Sequence, residues 1–130
     1  MTGAVVLATE QGLGYMAKDF YDHGVIDKVF IHPHGSRQNH PEWYKPEDRL
    51  RNLGQLLECD SILFIENPFY WNLIPMAREK GVKTILMVMY ECTVWPLPYF
   101  PDEIWCPSAL DFEVYKNLYA GHETVDETIH

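Results

Sequence analysis

Short apolar runs alternate along this chain with segments whose apolar residues recur at helical spacing. Five runs have the length and the continuous apolar character of buried strands: AVVLA at 4–8, KVFI at 28–31, SILFI at 61–65, KTILMVM at 83–89 and EIWC at 103–106. The segment after the first run has apolar residues at the i, i+3, i+4, i+7 spacing of one helical face: Leu13, Met16, Ala17 and Phe20. This alternation predicts strands separated by helices.

The ends of three predicted helices are also marked in the sequence. Gly24 and Gly81 follow the first and third helices, and glycine readily takes the left-handed conformation that ends a helix. The second helix carries leucines at positions 50, 53 and 57, with Pro46 near its start. Pro75 lies early in the third helix, which is either kinked there or begins near that residue.

Strands that alternate with helices imply right-handed crossovers and a parallel sheet covered on both faces. A last helix is predicted between the cap residue Ser108 and Gly121. We therefore expect an α/β fold with a single doubly wound, mostly parallel sheet of about five strands flanked by helices, a Rossmann-like arrangement. The domain would span residues 1–121, and residues 122–130 would form a polar tail or the truncated start of a next element.

Composition narrows the classes of function. The chain has 130 residues and a net charge of −9, and no cluster of Lys and Arg interrupts the acidic balance, so nucleic-acid binding is not indicated. Its three cysteines include no C-x-x-C pair, which favours reduced thiols. No apolar run approaches the roughly 18 residues of a membrane span, and no basic leader opens the chain. We expect a cytoplasmic location.

Ligands of parallel α/β sheets bind beyond the carboxyl ends of the strands. Gly12-x-Gly14-x-x-Ala17 lies between the first strand and its helix, where glycines let the backbone approach a phosphate. A dinucleotide site would also place an acidic residue after the second strand, but Asp27 precedes that strand. The turn therefore either contacts a phosphate-bearing or sugar ligand, or contains glycines only because it is tight.

Other polar residues at the same strand ends are candidates for contact with a sugar or acceptor: Glu10, Gln11, His32, His34, Glu66, Asn67 and Glu91. Carboxylates there can hold sugar hydroxyls or transfer protons. The spacing of the histidines matches no defined zinc pattern, and we predict no metal site. Large aromatic residues also crowd the loops at the strand ends, which suggests sugar stacking, a partner surface, self-association or contact with a second domain.

Three stretches resemble the N-terminal Rossmann-like half of GT-B type glycosyltransferases, in the retaining glycogen-synthase-like superfamily: EQGLGYMAKDF, ENPFYWNLIPMAREKGVKTILMVMYE and IWCPSALDFEVYKNL. The resemblance implies transfer of a sugar, typically a hexose, from a nucleotide-sugar donor to an acceptor, without a metal or other cofactor. It places Gly12 and Gly14 near the donor phosphates and the strand-end candidates on the acceptor side, and it assigns no catalytic base.

Enzymes of this type have a second Rossmann-like domain that binds the nucleotide. These 130 residues do not include that half, which would have to be supplied in cis or in trans, so we expect the chain alone to be inactive. Two alternatives remain: a stand-alone, non-catalytic binding or adaptor domain of the same fold, and a small dinucleotide-binding module.

Overall fold

The computed structural model describes residues 1–33, 38–89, 93, 97–108, 113 and 116. The strands in this part of the chain are β1 (Thr2–Val6), β2 (Lys28–Ile31), β3 (Ser61–Ile65), β4 (Lys83–Met87) and β5 (Glu103–Trp105). Two α-helices are described, α1 (Gly12–Asp22) and α2 (Leu73–Glu79). The strands form one sheet in the order β2-β1-β3-β4-β5, and every pair of neighbours is parallel. The predicted α/β class is confirmed.

The sheet is covered on both faces, which explains why its strands are apolar throughout. On one face Ala17 of α1 packs with Val6 and Ile65, and on the other Ile74 of α2 packs with Val5 and Phe64. Because successive side chains of a strand point to opposite faces, adjacent residues such as 5 and 6 serve different cores. The sheet is therefore doubly wound, as predicted.

The predicted helix ends are confirmed by the backbone. Gly24 and Gly81 have φ values of +79° and +73°, the left-handed conformation that ends a helix. Pro75 is the third residue of α2, where its missing N–H would have had no partner within the helix. The helix therefore begins at Leu73, before the proline.

The prediction of an α-helix over residues 50–57 is wrong. The region contains 3₁₀ turns at Pro41–Trp43 and Pro46–Asp48 and a longer 3₁₀ segment at Leu53–Glu58. The Leu50 N–H donates to the Val29 carbonyl at 2.7 Å, and Arg49 forms a parallel bridge with Val29. The start of the predicted helix is therefore held extended against the edge of β2.

The 3₁₀ segment begins at a capping box. Asn52 Oδ1 accepts from the Gln55 N–H at 3.1 Å, and Gln55 Oε1 accepts from the Asn52 N–H at 3.2 Å. The buried Leu56 lies three residues after Leu53, which suits the three-residue turn of a 3₁₀ helix. The leucine spacing therefore indicates a helical segment here but does not distinguish an α-helix from a 3₁₀ helix.

Of the five described strands, three have limits that differ from prediction by one or two residues: β1, β4 and β5. β2 and β3 have the predicted bounds, whereas β1 begins at Thr2 and ends at Val6. Beyond Val6 the chain leaves the ladder, because the Ala8 carbonyl accepts from the His40 N–H at 2.7 Å. The predicted last helix and the domain boundary at residue 121 lie mostly outside the described residues, although residues 113 and 116 are both helical.

Candidate functional site

A cleft of about 320 Å³ lies at the carboxyl ends of β1, β2 and β3. Its walls are formed by Leu7, Gln11, Leu13, His32, Pro33, Glu66 and Phe69, and we call it the switch-point cleft. The segment after β1 runs to one face of the sheet and the segment after β3 runs to the other, so the strand order reverses between them. Doubly wound sheets bind ligands at such a topological switch point. Of the predicted site residues, the structure brings Gln11, His32 and Glu66 together here.

The N-terminus of α1 opens beside this cleft. Gln11 is the N-cap residue, its side chain makes no capping hydrogen bond, and the first turn contains no acidic residue. The partial positive charge of this helix end is therefore not neutralised by a carboxylate of its own first turn, and backbone N–H groups there suit an anionic oxygen. Gln11 and Leu13 both line the cleft, which places this end of the helix at its wall.

The two glycines of this turn have different surroundings. A Cβ atom on Gly14 would lie 1.9 Å from the Thr9 carbonyl oxygen, so α1 can approach the end of β1 only with glycine at this position. A Cβ atom on Gly12 would meet nothing within 4 Å. Close packing of the helix on the Thr9 backbone, in the connection after β1, accounts for Gly14, whereas no contact within the described residues accounts for Gly12.

His32 is held in one orientation by two aromatic residues of the loop after β3. Its ring stacks on Phe69 with centroids 4.3 Å apart and planes 4° from parallel. Its Nδ1 atom lies 2.8 Å from the Tyr70 hydroxyl, and the two rings meet edge to face at 5.4 Å. We call this arrangement of His32, Phe69 and Tyr70 the histidine clamp. Tyr70 is therefore the partner at Nδ1, and the stack on Phe69 fixes the plane of the imidazole ring.

The loop that supplies the clamp has a backbone conformation that side chains rarely adopt. Glu66 and Phe69 have φ values of +69° and +59°. Such positions cost on the order of 1–3 kcal/mol each and persist where the surrounding structure imposes them, often at functional sites. Here the Glu66 N–H donates to the Met87 carbonyl at 2.8 Å, and Thr93 Oγ1 donates to the Glu66 carbonyl at 2.7 Å. The end of β4 and Thr93 thus fix the loop that carries the ring of Phe69 to His32.

Glu10 belongs to a different cluster. The carboxylate of Glu10 lies 3.7 Å from His40 Nε2, and Glu42 lies 2.9 Å from His40 Nδ1. The imidazole stacks on Trp43 with centroids 5.0 Å apart. Glu42's own backbone N–H and the His40 ring lower the pKa of the Glu42 carboxyl. Glu10 thus lies beside His40 and is not among the residues that line the switch-point cleft.

The other predicted site residues are Asn67, His34 and Glu91. Asn67 follows Glu66 but is not among the cleft residues, and its N–H donates to the Ile65 carbonyl at 2.9 Å. His34 and Glu91 lie outside the described residues. The roles of Phe69 and Tyr70 were not predicted from the sequence, in which they are two of many aromatic residues of the strand-end loops. Their proximity to Pro68 and to the end of β3 was the available signal, but the pairing with His32 spans 38 residues.

The aromatic residues of the strand-end loops differ widely in exposure, and Tyr44 is buried. Phe69 and Tyr99 are about two-fifths exposed, at 41% and 40%. Tyr44 is only 1% exposed and packs in the core beneath α1, edge to face with Tyr21 at 4.9 Å. Burial, with smaller contributions from Asp22 and Tyr21, raises the pKa of the Tyr44 hydroxyl. This residue therefore supports the fold and offers no surface to a partner.

Within the described ranges, no three His, Cys, Asp or Glu side chains are grouped so that they could hold a metal ion. Among the helices of the described residues, none could span a bilayer, given its length and apolar content.

No protein-family model matches the chain, and neither a curated protein nor a solved structure matches it with statistical significance.

Proposed function

We propose that this domain is the acceptor-side half of a glycosyltransferase and that the switch-point cleft holds part of a sugar-bearing ligand. The observation that carries the proposal is the histidine clamp, which presents an oriented imidazole at a cleft that Gln11 and Glu66 also line. Imidazole, amide and carboxylate groups together can donate to and accept from sugar hydroxyls. The sequence resemblance to GT-B enzymes supplies the reaction class, transfer of a hexose from a nucleotide sugar.

The electrostatics support a site shared with a second domain. The N-terminus of α1 attracts a phosphate at short range, but the net charge of −9 repels anions at longer range. A donor diphosphate therefore requires basic groups from elsewhere, and we propose that a second Rossmann-like domain, in cis or in trans, supplies them. In this proposal Gly12 lies beside the donor phosphates, and His32 and Glu66 contact the acceptor or the transferred sugar.

The location we propose is cytoplasmic. Cys59 is a free, buried thiol, the usual state of a cysteine in a reducing compartment. Burial raises the pKa of the Cys59 thiol, which makes it a weak nucleophile and favours a packing role over catalysis. We assign no metal or other cofactor to the reaction.

Binding is tested by titrating the ¹⁵N-labelled chain with UDP-glucose, UDP-N-acetylglucosamine and GDP-mannose. We expect at least one of them to shift the amide resonances of Gln11, Leu13, His32 and Glu66, with weak affinity because half of the site is missing. Titration to about 10 mM detects binding free energies as small as about 3 kcal/mol. Absence of shifts with all three ligands, or shifts only at the opposite end of the sheet, would refute the proposed site.

Catalysis is tested on the natural gene product by following transfer of radiolabelled sugar. Gly12→Val should lower transfer at least tenfold without unfolding, because the Cβ position is open within the domain and a branched side chain would occupy the space proposed for the donor phosphate. His32→Ala should lower transfer as well. The matched control is His23→Ala, since His23 is exposed and lies at the far end of α1. Gly12→Val with unchanged transfer would remove the phosphate role.

The stand-alone adaptor domain is the alternative with the clearest distinguishing result. A stand-alone adaptor domain would bind a ligand in the titration but would transfer no sugar under any condition, including after addition of the neighbouring gene products. The dinucleotide module has less support, because the Asp27 carboxylate accepts from the Thr2 N–H at 2.9 Å at the opposite end of the sheet from the cleft. Binding of NAD in the same titration would favour it.

A further inference from the structure

A second cavity adjoins the switch-point cleft on the face covered by α2. It has a volume of about 430 Å³ and is lined by Leu53, Gly54, Phe69, Tyr70, Trp71, Asn72, Leu73 and Met76. We call it the aromatic groove. Phe69 lines both cavities and is the residue that they share.

The walls of the groove are suited to a flat apolar group. None of its lining residues is charged, and three consecutive aromatic residues, 69–71, form one side. Phe69 and Met76 are 41% and 47% exposed, so much of this apolar surface is left in water. Aromatic rings favour offset or edge-on contact with another ring, and the flexible thioether of methionine adapts to its shape.

The same residues connect the groove to the histidine clamp. Tyr70 lines the groove, while its hydroxyl lies 2.8 Å from His32 Nδ1 and its ring packs edge to face on Phe30 at 6.0 Å. A polar group bound at His32 is therefore close to Phe69, a residue that also lines the groove. One ligand can contact both cavities if it has a polar part and an apolar part that are directly linked.

We propose that the aromatic groove binds the aromatic aglycone of the acceptor, while the acceptor's sugar lies against His32 and Glu66. The inference rests on the proposed function, since it identifies the acceptor of that reaction as an aryl glycoside. A volume of about 430 Å³ is within the range of roughly 300–1,000 Å³ that small-molecule sites occupy, and it has room for one or two rings. Continuity with the polar cleft favours the apolar part of one small ligand over a separate partner protein.

The test compares matched phenyl and methyl glycosides of glucose, galactose and mannose, with binding followed by amide shifts and by tryptophan fluorescence of the full chain. For at least one sugar, the phenyl glycoside should bind about tenfold more tightly than the methyl glycoside, because ring stacking adds to the burial of apolar area. The shifts of the phenyl compound should extend from His32 to Trp71 and Met76. A preference below twofold for every sugar, or no binding of any glycoside, would overturn the proposal.

Two variants test the position of the ring. Trp71→Ala should remove the preference for phenyl and leave the affinity for the methyl glycoside unchanged. Because Trp71 also packs against the core, Met76→Lys is the second variant: Met76 is exposed on α2, so a lysine there should fold normally and reduce the preference. Tyr99→Ala is the control, since Tyr99 is a similarly exposed aromatic residue that lines neither cavity. A phenyl preference that survives Met76→Lys would refute the groove as its source.

The remaining outcomes separate this inference from the proposed function. If a nucleotide sugar binds at the cleft but phenyl and methyl glycosides bind equally, only the inference about the groove fails. If the phenyl preference is present and no nucleotide sugar binds or is used, the glycosyltransferase proposal fails and the groove remains an aryl-glycoside site. If the chain dimerises and Met76→Lys makes it monomeric, a second copy occupies the groove and the proposal is wrong.

Discussion

The two glycines of the first turn of α1, Gly12 and Gly14, should respond in opposite directions to substitution by alanine. In Gly14→Ala the new Cβ would lie 1.9 Å from the Thr9 carbonyl oxygen, whereas carbon–oxygen contacts normally begin near about 3.3 Å. The helix and the Thr9 backbone must therefore separate by about 1.4 Å, the shortfall from that contact distance. The obstacle is a backbone atom of the connection between β1 and α1, which cannot move aside as a side chain could.

The magnitude follows from two opposing terms. Overpacking costs about 1–3 kcal/mol, and a backbone obstacle places Gly14→Ala near the upper limit. Alanine recovers about 1 kcal/mol of helix propensity, so we expect a net loss of about 2 kcal/mol. Gly12→Ala meets no atom within 4 Å and should gain about 0.4–1 kcal/mol through reduced freedom of the unfolded chain.

Urea unfolding followed by circular dichroism measures both changes, with equal m-values as the check that the same transition is compared. In thermal unfolding, Gly14→Ala should melt about 8 °C lower than the wild type, at about 4 °C per kcal/mol for a domain of this size. Gly12→Ala should melt slightly higher. If Gly14→Ala is as stable as Gly12→Ala, helix α1 does not pack on Thr9 as described, and the structural explanation of Gly14 is wrong.

Three further predictions concern the stability of the fold. Asn52→Ala removes the capping box of the 3₁₀ segment and should cost about 0.5–2 kcal/mol in urea unfolding; no loss would show that the cap contributes little. Asp102→Ala removes the acceptor for the buried Thr84 N–H at 2.8 Å and should cost about 1–3 kcal/mol, whereas Asp102→Asn should cost less; equal losses would contradict the role of the acceptor oxygen. Hydrogen bonds from Tyr21 and then Lys28 lower the pKa of the Asp48 carboxyl, so their stabilisation is complete above the ordinary carboxyl pKa and is lost as the pH falls below about 4. Asp48→Asn should flatten that part of the stability profile measured by unfolding between neutral pH and pH about 2, and an unchanged profile would exclude Asp48 as its origin.

The candidate site was only partly predictable. Gln11, His32 and Glu66 were identified because parallel strands end at one edge of a sheet, so the residues that follow them are neighbours whatever their separation in the chain. Glu10 was expected at the same place, but the adjacent His40 draws its side chain into another cluster. A rule that locates strand ends cannot tell in which direction each side chain points.

The second predicted helix shows the same limit within the fold. Its leucines repeat at helical spacing, yet residues 49 and 50 pair with Val29 at the edge of β2. The hydrogen bond from Leu50 to Val29, about twenty residues away in the chain, outweighs the local preference for a helix. The spacing of the leucines contains no information about that distant hydrogen bond. The segment that follows is a 3₁₀ helix, Leu53–Glu58.

The sequence by itself determined the α/β class, the bounds of β2 and β3, and the glycines that end the two helices, because each depends on residues that are close along the chain. Tertiary structure alone decided the order of the strands, the burial of Tyr44, the close approach that requires Gly14, and the histidine clamp. These features depend on contacts between distant segments, such as the one that joins His32 to Tyr70 across 38 residues. Such contacts form only when the sheet brings the strand ends together, and local pattern does not encode their geometry.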